Sequence, residues 1–116
     1  LDQFDKQCFD QILSGIPRHE ILLDSLGSLL RYLTDFHGRK CIILIDEYDQ
    51  PIAVAYRNGF YDDAQKFFRT VFEVLLKDND DKIKKALLVG VSHFAQSGFL
   101  SGLNNLMIYP MYHKTF

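Results

Sequence analysis

The 116-residue chain has no tryptophan, three prolines and two cysteines. Cys8 and Cys41 form no C-x-x-C pair, which excludes a zinc ribbon or a dithiol redox motif. Two cysteines are also too few for a secreted disulfide framework, and Cys41 reads as a buried thiol. Neither sign of charge dominates. With 13 Lys+Arg against 15 Asp+Glu the formal net charge is −2, so no global basic field argues for nucleic acid or an anionic membrane. No apolar run approaches the roughly 20 residues of a membrane span, and nothing resembles a signal peptide. The expectation is an intracellular, cytoplasmic setting with no membrane partner; a nucleic-acid partner is left open. The phosphate-cradling pattern G-x-x-x-x-G-K-[ST] is missing as well. The one Lys-Thr pair, Lys114-Thr115, has no glycine loop before it.

What is present is a globular composition, 47% hydrophobic and 24% charged, at a length that makes one domain or a piece of one. The chain opens on Leu1 and closes on Phe116 without a polar tail, and it reads as an internal fragment of a longer protein.

Residues 1–14 suit a short helix, interrupted by Gly15 and Pro17. From His19 to about Phe36, the residues Leu22, Leu26, Leu29, Leu30, Leu33 and Phe36 recur at helical steps, with Gly38 as the stop. Residues 41–46 are apolar up to Asp46, which predicts a strand covered on both faces in a parallel sheet. After Pro51 the expectation is an irregular stretch through Asn58-Gly59. A further amphipathic helix follows from about Tyr61 to Lys77, with Ala64, Phe67, Phe68, Val71 and Leu75 inward. Residues 78–81 read as a turn and Ala86–Ser92 as a second apolar strand. Strand, helix, strand is a βαβ unit, expected to cross over right-handed. Leu106–Tyr109 reads as a further short strand.

The chemistry concentrates at strand ends. Asp46 and Glu47 close the first strand, and Ser92 and His93 close the second; ligands of open parallel sheets bind at that edge. A strand-end carboxylate can hold Mg²⁺, a hard cation that keeps several waters. Glu47, expected on the opposite face from Asp46, could orient a water attacking a γ-phosphate. Ser92 or His93 could contact that phosphate or the same water. Other groupings are weaker. Asp49 fits a turn better than a group supporting a metal. Asp80-Asp81-Lys82 spells D-x-K but sits in a turn without a partner carboxylate. His37 and Cys41 make an improbable metal pair. Phe67, Phe68, Phe72 and Phe94 read as core.

Ile42–Asp49 followed by Gln50-Pro51-Ile52, Leu76–Asp80, and Gly90–Ser92 with Phe94 and Phe99–Leu106 stand in order along the chain. These three stretches resemble the predicted AAA-ATPase-like family, P-loop proteins often joined to a C-terminal PD-(D/E)xK nuclease-like domain. The resemblance covers most of the chain from about residue 20. It implies an α/β fold, a partial P-loop NTPase parallel sheet of AAA-like type with flanking helices and without the Walker A strand. It makes 1–116 one piece of an AAA-ATPase-like domain, with the Walker B strand at about 41–46 and the sensor strand at about 86–92. Asp46 becomes the Mg²⁺ and nucleotide residue and Glu47 the water-activating one. Ser92 becomes the sensor and His93 a nucleotide contact. ATP and Mg²⁺ are the implied cofactors.

The Walker A segment upstream and the nuclease-like domain downstream are the implied partners in the parent chain, with a homo-oligomer as a further option. The chain departs from the family pattern where His93 and Gln96 replace basic residues. That departure supports an alternative, a non-hydrolysing regulatory or scaffold module of the same fold. Asn104 and Asn105 read as caps of the loop, with a nucleotide-sensing role open to them by resemblance. A receiver-like phospho-acceptor lacks its acidic pair and its lysine. Without the cradle, the 116 residues alone are expected neither to bind ATP tightly nor to hydrolyse it. In the family's strand order the second strand would also be left as an open, aggregation-prone edge.

Overall fold

The computed structural model describes residues 1–91 together with residues 103, 106, 107 and 109. In chain order the elements are helix α1 (Gln3–Leu13), helix α2 (His19–His37), strand β1 (Cys41–Asp46), helix α3 (Gln50–Asn58), helix α4 (Tyr61–Phe72) and strand β2 (Ile83–Val89). A π-helical turn, Glu73–Lys77, extends α4, and a 3-10 turn, Asp80–Lys82, leads into β2. The two strands pair in parallel, as a βαβ reading requires.

Local chemistry sets the element ends. Asp2 caps α1 reciprocally: its carboxylate accepts from the Asp5 N–H at 2.8 Å, and Asp5 accepts from the Asp2 N–H at 3.3 Å. Gly38 ends α2 in the left-handed region, φ 62°, donating its N–H to the Thr34 carbonyl.

Residues 50–58 are helical, not irregular. Pro51 stands in the first turn of α3, where a missing N–H breaks no helical bond, and Gly59 closes the helix at φ 82°. Ile52 and Ala55, one turn apart, are both 0% exposed and anchor α3 in the core. Burying the Ile52 side chain is worth about 1.5–3 kcal/mol.

One face of the sheet is covered. Cys41, Ile43, Ile45, Ile83, Ala86 and Leu88 pack on a core of Leu30, Ile52, Ala55, Ala64, Phe72, Leu75, Leu76 and Leu103. The expectation of two covered faces does not hold among the described residues: Ile42 is 59% and Leu44 74% exposed, opposite Lys85 and the exposed Leu87. The alternation of β1 is therefore real in burial while absent in residue type. The far edges of both strands are unpaired among the described residues.

Three further expectations shift. The buried line of α2 runs through Gly27 and Leu30, so Leu30 alone of the expected stripe is buried. Leu22, Leu26, Leu29, Leu33 and Phe36 are all exposed by a third or more, because α2 meets α4 and its π extension through the face that carries Gly27 and Leu30. β2 begins at Ile83, three residues before the expected Ala86, and ends at Val89. A register shift lies between Cys41 and Ile42: Cys41 pairs with Ile83, and Ile42 with Lys85, so Lys84 is passed over. That bulge lets both Lys84 and Lys85 face outward while Ala86 and Leu88 keep the inner face. Leu106, Met107 and Tyr109 belong to no strand. Both cysteines are free thiols.

Candidate active site

Asp46 pairs with Val89, so the two strands end level with one another. Asp46 is the last residue of β1 and is exposed. One of its oxygens, Oδ1, accepts the N–H of Glu47 at 2.9 Å; the other is bonded to no protein group among the described residues. Glu47 lies one residue past the strand at φ 53°, the one non-glycine residue with positive φ among those described. Strand alternation therefore does not set its direction, as the sequence had suggested; a left-handed backbone does. This conformation costs a non-glycine residue of order 1 kcal/mol or more, and such strain collects at functional sites. The Glu47 carbonyl accepts the Gln50 N–H at 3.0 Å, which turns the chain into α3. The Glu47 carboxylate is exposed and bonds no described side chain.

Below this exposed pair the loop is tied to β2. The Tyr48 N–H donates to the Val89 carbonyl at 3.3 Å. Asp49 is 2% exposed, and its Oδ2 accepts the Val91 N–H at 3.0 Å, 42 residues along the chain. Its backbone carbonyl accepts the Ala53 N–H, so Asp49 does start a turn into α3. Its side chain makes no cap on that helix and reaches the neighbouring strand end instead. Burial, and then the charge of Asp49, hold the Tyr48 hydroxyl above its usual value. Sequence reasoning missed this tie. The signal that could have found it is Gly90: a β-carbon there would lie 2.6 Å from the Tyr48 ring, 2.7 Å from Asp49 Oδ1 and 2.9 Å from its Cγ. A glycine ending an apolar strand marks close approach.

Asp46 and Glu47 are thus brought together at the sheet's carboxyl edge. Ser92 and His93 lie outside the described residues, as do Phe94, Gln96, Asn104 and Asn105. Among the described residues no group of three or more His, Cys, Asp or Glu is placed to hold a metal. Asp81 pairs with Lys82 at 3.2 Å on the surface, a solvated contact. A cleft of about 700 Å³ between α1 and α2 is lined by Phe4, Phe9, Leu29 and Arg31, and by neither strand-end carboxylate. Phe72 is buried, Phe68 packs on the core, and Phe67 stacks edge-on to Phe68, so these rings are structural. No described helix is long and apolar enough to cross a membrane.

Helices with a two-stranded parallel sheet, and an exposed Asp-Glu pair at its carboxyl edge, place the chain in the α/β class. Within that class, the family model described as Predicted AAA-ATPase matches residues 2–100, and the chain belongs to this AAA-ATPase-like family. It is also 36% identical over 81 residues to an uncharacterized protein in the vnfD 5' region of Azotobacter chroococcum mcd 1, a match covering 69% of this chain and 16% of that protein. The chain thus spans a small part of that relative's length. No solved structure matches.

Proposed function

We propose that these residues form the metal-and-water half of an ATP-hydrolysing site in a P-loop NTPase domain. The observation that carries this reading is the exposed Asp46–Glu47 pair at the end of β1, level with the end of β2. Asp46 fits Mg²⁺: it is a hard oxygen donor, exposed, with one oxygen uncommitted among the described residues. A Mg²⁺ bound chiefly by water and phosphate needs no three-residue protein cage. When bound, the ion neutralises charge on the phosphates. Glu47, held just beyond the strand, orients and deprotonates the attacking water. Ser92 and His93 are assigned to the γ-phosphate side by sequence order. The phosphate cradle and its lysine are not among these 116 residues, so the chain by itself is expected neither to bind ATP tightly nor to turn it over.

The test is ATP binding and turnover by the full-length protein. Glu47→Gln is expected to lower kcat about 10²–10⁴-fold while ATP still binds. Asp46→Ala is expected to weaken the Mg²⁺ dependence and kcat together. Turnover that survives Glu47→Gln would sink the reading. A second reading, the non-hydrolysing scaffold, draws on His93 and Gln96 standing where the family carries basic residues. Wild-type protein that folds but does not hydrolyse ATP, whether or not it binds it, would exclude the first reading and select the second.

A further inference from the structure

We propose that Asp49 is a positioning residue, a buried latch that fixes Glu47 relative to the end of β2. The role rests on the ATPase reading of Glu47. Four observations carry it. Asp49 is a carboxylate with 2% exposure, two residues beyond Glu47. Its Oδ2 accepts the Val91 N–H at 3.0 Å, a charge-assisted bond between the β1 loop and the chain leaving β2. Gly90 supplies the space, since a β-carbon there would overlap both Asp49 and Tyr48. The Tyr48 N–H bond to the Val89 carbonyl is the second point of attachment.

Glu47 stands between β1 and these two attachments, in a left-handed conformation that its neighbours must enforce. Asp46 is held by the ladder, Tyr48 by Val89 and Asp49 by Val91, so little freedom remains for the residue between. An exposed carboxylate that must hold a water within hydrogen-bond reach of a phosphate gains from such a fixed base. A misplacement of about 1 Å can cost on the order of 10²-fold in rate. The geometry also separates Asp49 from a metal role. Its carboxylate is turned toward the Val91 amide and the Gly90 backbone, while Asp46 and Glu47 are exposed.

The experiment compares wild type, Asp49→Asn, Asp49→Ala and Glu47→Gln in the full-length protein. It reads kcat, KM for ATP, half-saturating Mg²⁺ and hydrogen exchange of the Val91 amide. Asparagine can turn its carbonyl oxygen to the same N–H. Asp49→Asn is therefore expected to keep kcat within about threefold and to keep Val91 protected. Asp49→Ala is expected to expose Val91 to exchange and lower kcat about 10–100-fold, with KM and half-saturating Mg²⁺ within about threefold. Three results overturn the latch: unchanged kcat in Asp49→Ala, a tenfold rise in half-saturating Mg²⁺, or Asp49→Asn losing more than tenfold in kcat. Should Asp49→Ala not fold, the Asp49→Asn arm decides alone by the same limits. Absence of Glu47-dependent turnover in wild type sinks the ATPase reading and this role with it. Val91 exchange then still shows whether the tie exists, which keeps the two failures distinct.

Discussion

The amide nitrogen of Asn79 stands 3.1 Å from where a β-carbon on Gly27 would lie, with Val74 Cγ1 at 3.0 Å on the same spot. Asn79 is 5% exposed and donates to the Val74 carbonyl at 2.6 Å, at the π-helical end of α4. Helix α2 therefore reaches α4 through a position with no side chain. Gly27→Ala sets a gain in helix propensity of about 1 kcal/mol against overpacking of about 1–3 kcal/mol. Because the Asn79 amide is held on the Val74 carbonyl, the clash is expected to win by about 1 kcal/mol. Asn79→Ala is expected to cost about 1–3 kcal/mol by leaving a carbonyl unsatisfied. Urea midpoints of the full-length protein measure both; a Gly27→Ala protein more stable than wild type contradicts the contact.

Glu47 offers a way to separate strain from chemistry. Its φ of 53° suits glycine. Glu47→Gly is expected to leave stability unchanged or raise it by up to about 1 kcal/mol, while removing ATP turnover. Denaturation midpoints set beside turnover rates check this. A destabilised Glu47→Gly protein would place the backbone elsewhere.

Asp24 links stability to pH. Burial acts to raise the Asp24 carboxyl, but hydrogen bonds from Arg31 and Ser28 outweigh it and lower it below the usual value of 3.8. Arg31 donates to Asp24 Oδ2 at 3.0 Å and Ser28 at 2.6 Å. A lowered folded value means the contribution is present above about pH 4 and fades as pH falls through the folded value. The pair is partly exposed, so its worth is under about 1 kcal/mol. The stability gap between wild type and Asp24→Asn should shrink between pH 6 and pH 3, followed by chemical denaturation. A gap that widens on acidification would reverse the assignment.

The open face of the sheet predicts association of the 116 residues expressed alone. Leu44 (74% exposed) and Leu87 (58%) lie opposite one another on it. Exposed apolar strands with unpaired edges pair with other chains. Sedimentation should show oligomers for wild type and a shift toward monomer for Leu44→Lys with Leu87→Glu. A monodisperse wild-type monomer would count against this.

The legible parts were those where one residue type does one job. Gly38 stopped α2 as expected, and the apolar run to Asp46 became a parallel strand. The two exposed carboxylates fell at the sheet edge where the sequence put them. The less legible parts were set by partners distant in sequence. The leucine stripe of α2 pointed to one face, but Gly27 was chosen by Val74 and Asn79 some fifty residues on. Helix α3 hid behind Pro51, although proline in a first turn with Ile52, Ala55 and Gly59 behind it is a helical signature. Asp49 looked like a turn residue and is one; its second role depends on Val91, which no local pattern announces. The start of β2 was obscured by Lys84-Lys85, two successive charges that break any simple alternation.

That pair of lysines also marks where the chain's length is free to vary. Removing Lys84 would join Ile83 to Lys85 and Ala86 in the order inward, outward, inward. The partners of Cys41, Ile42 and Ile43 would then follow one another without a gap. Every residue from Ala86 to Val89 would keep its face, and the strand end beside Asp46 would not move. A one-residue deletion inside a paired strand ordinarily inverts all that lies beyond it. Here the fold carries a spare residue, and relatives differing by one at this point could share the same sheet edge.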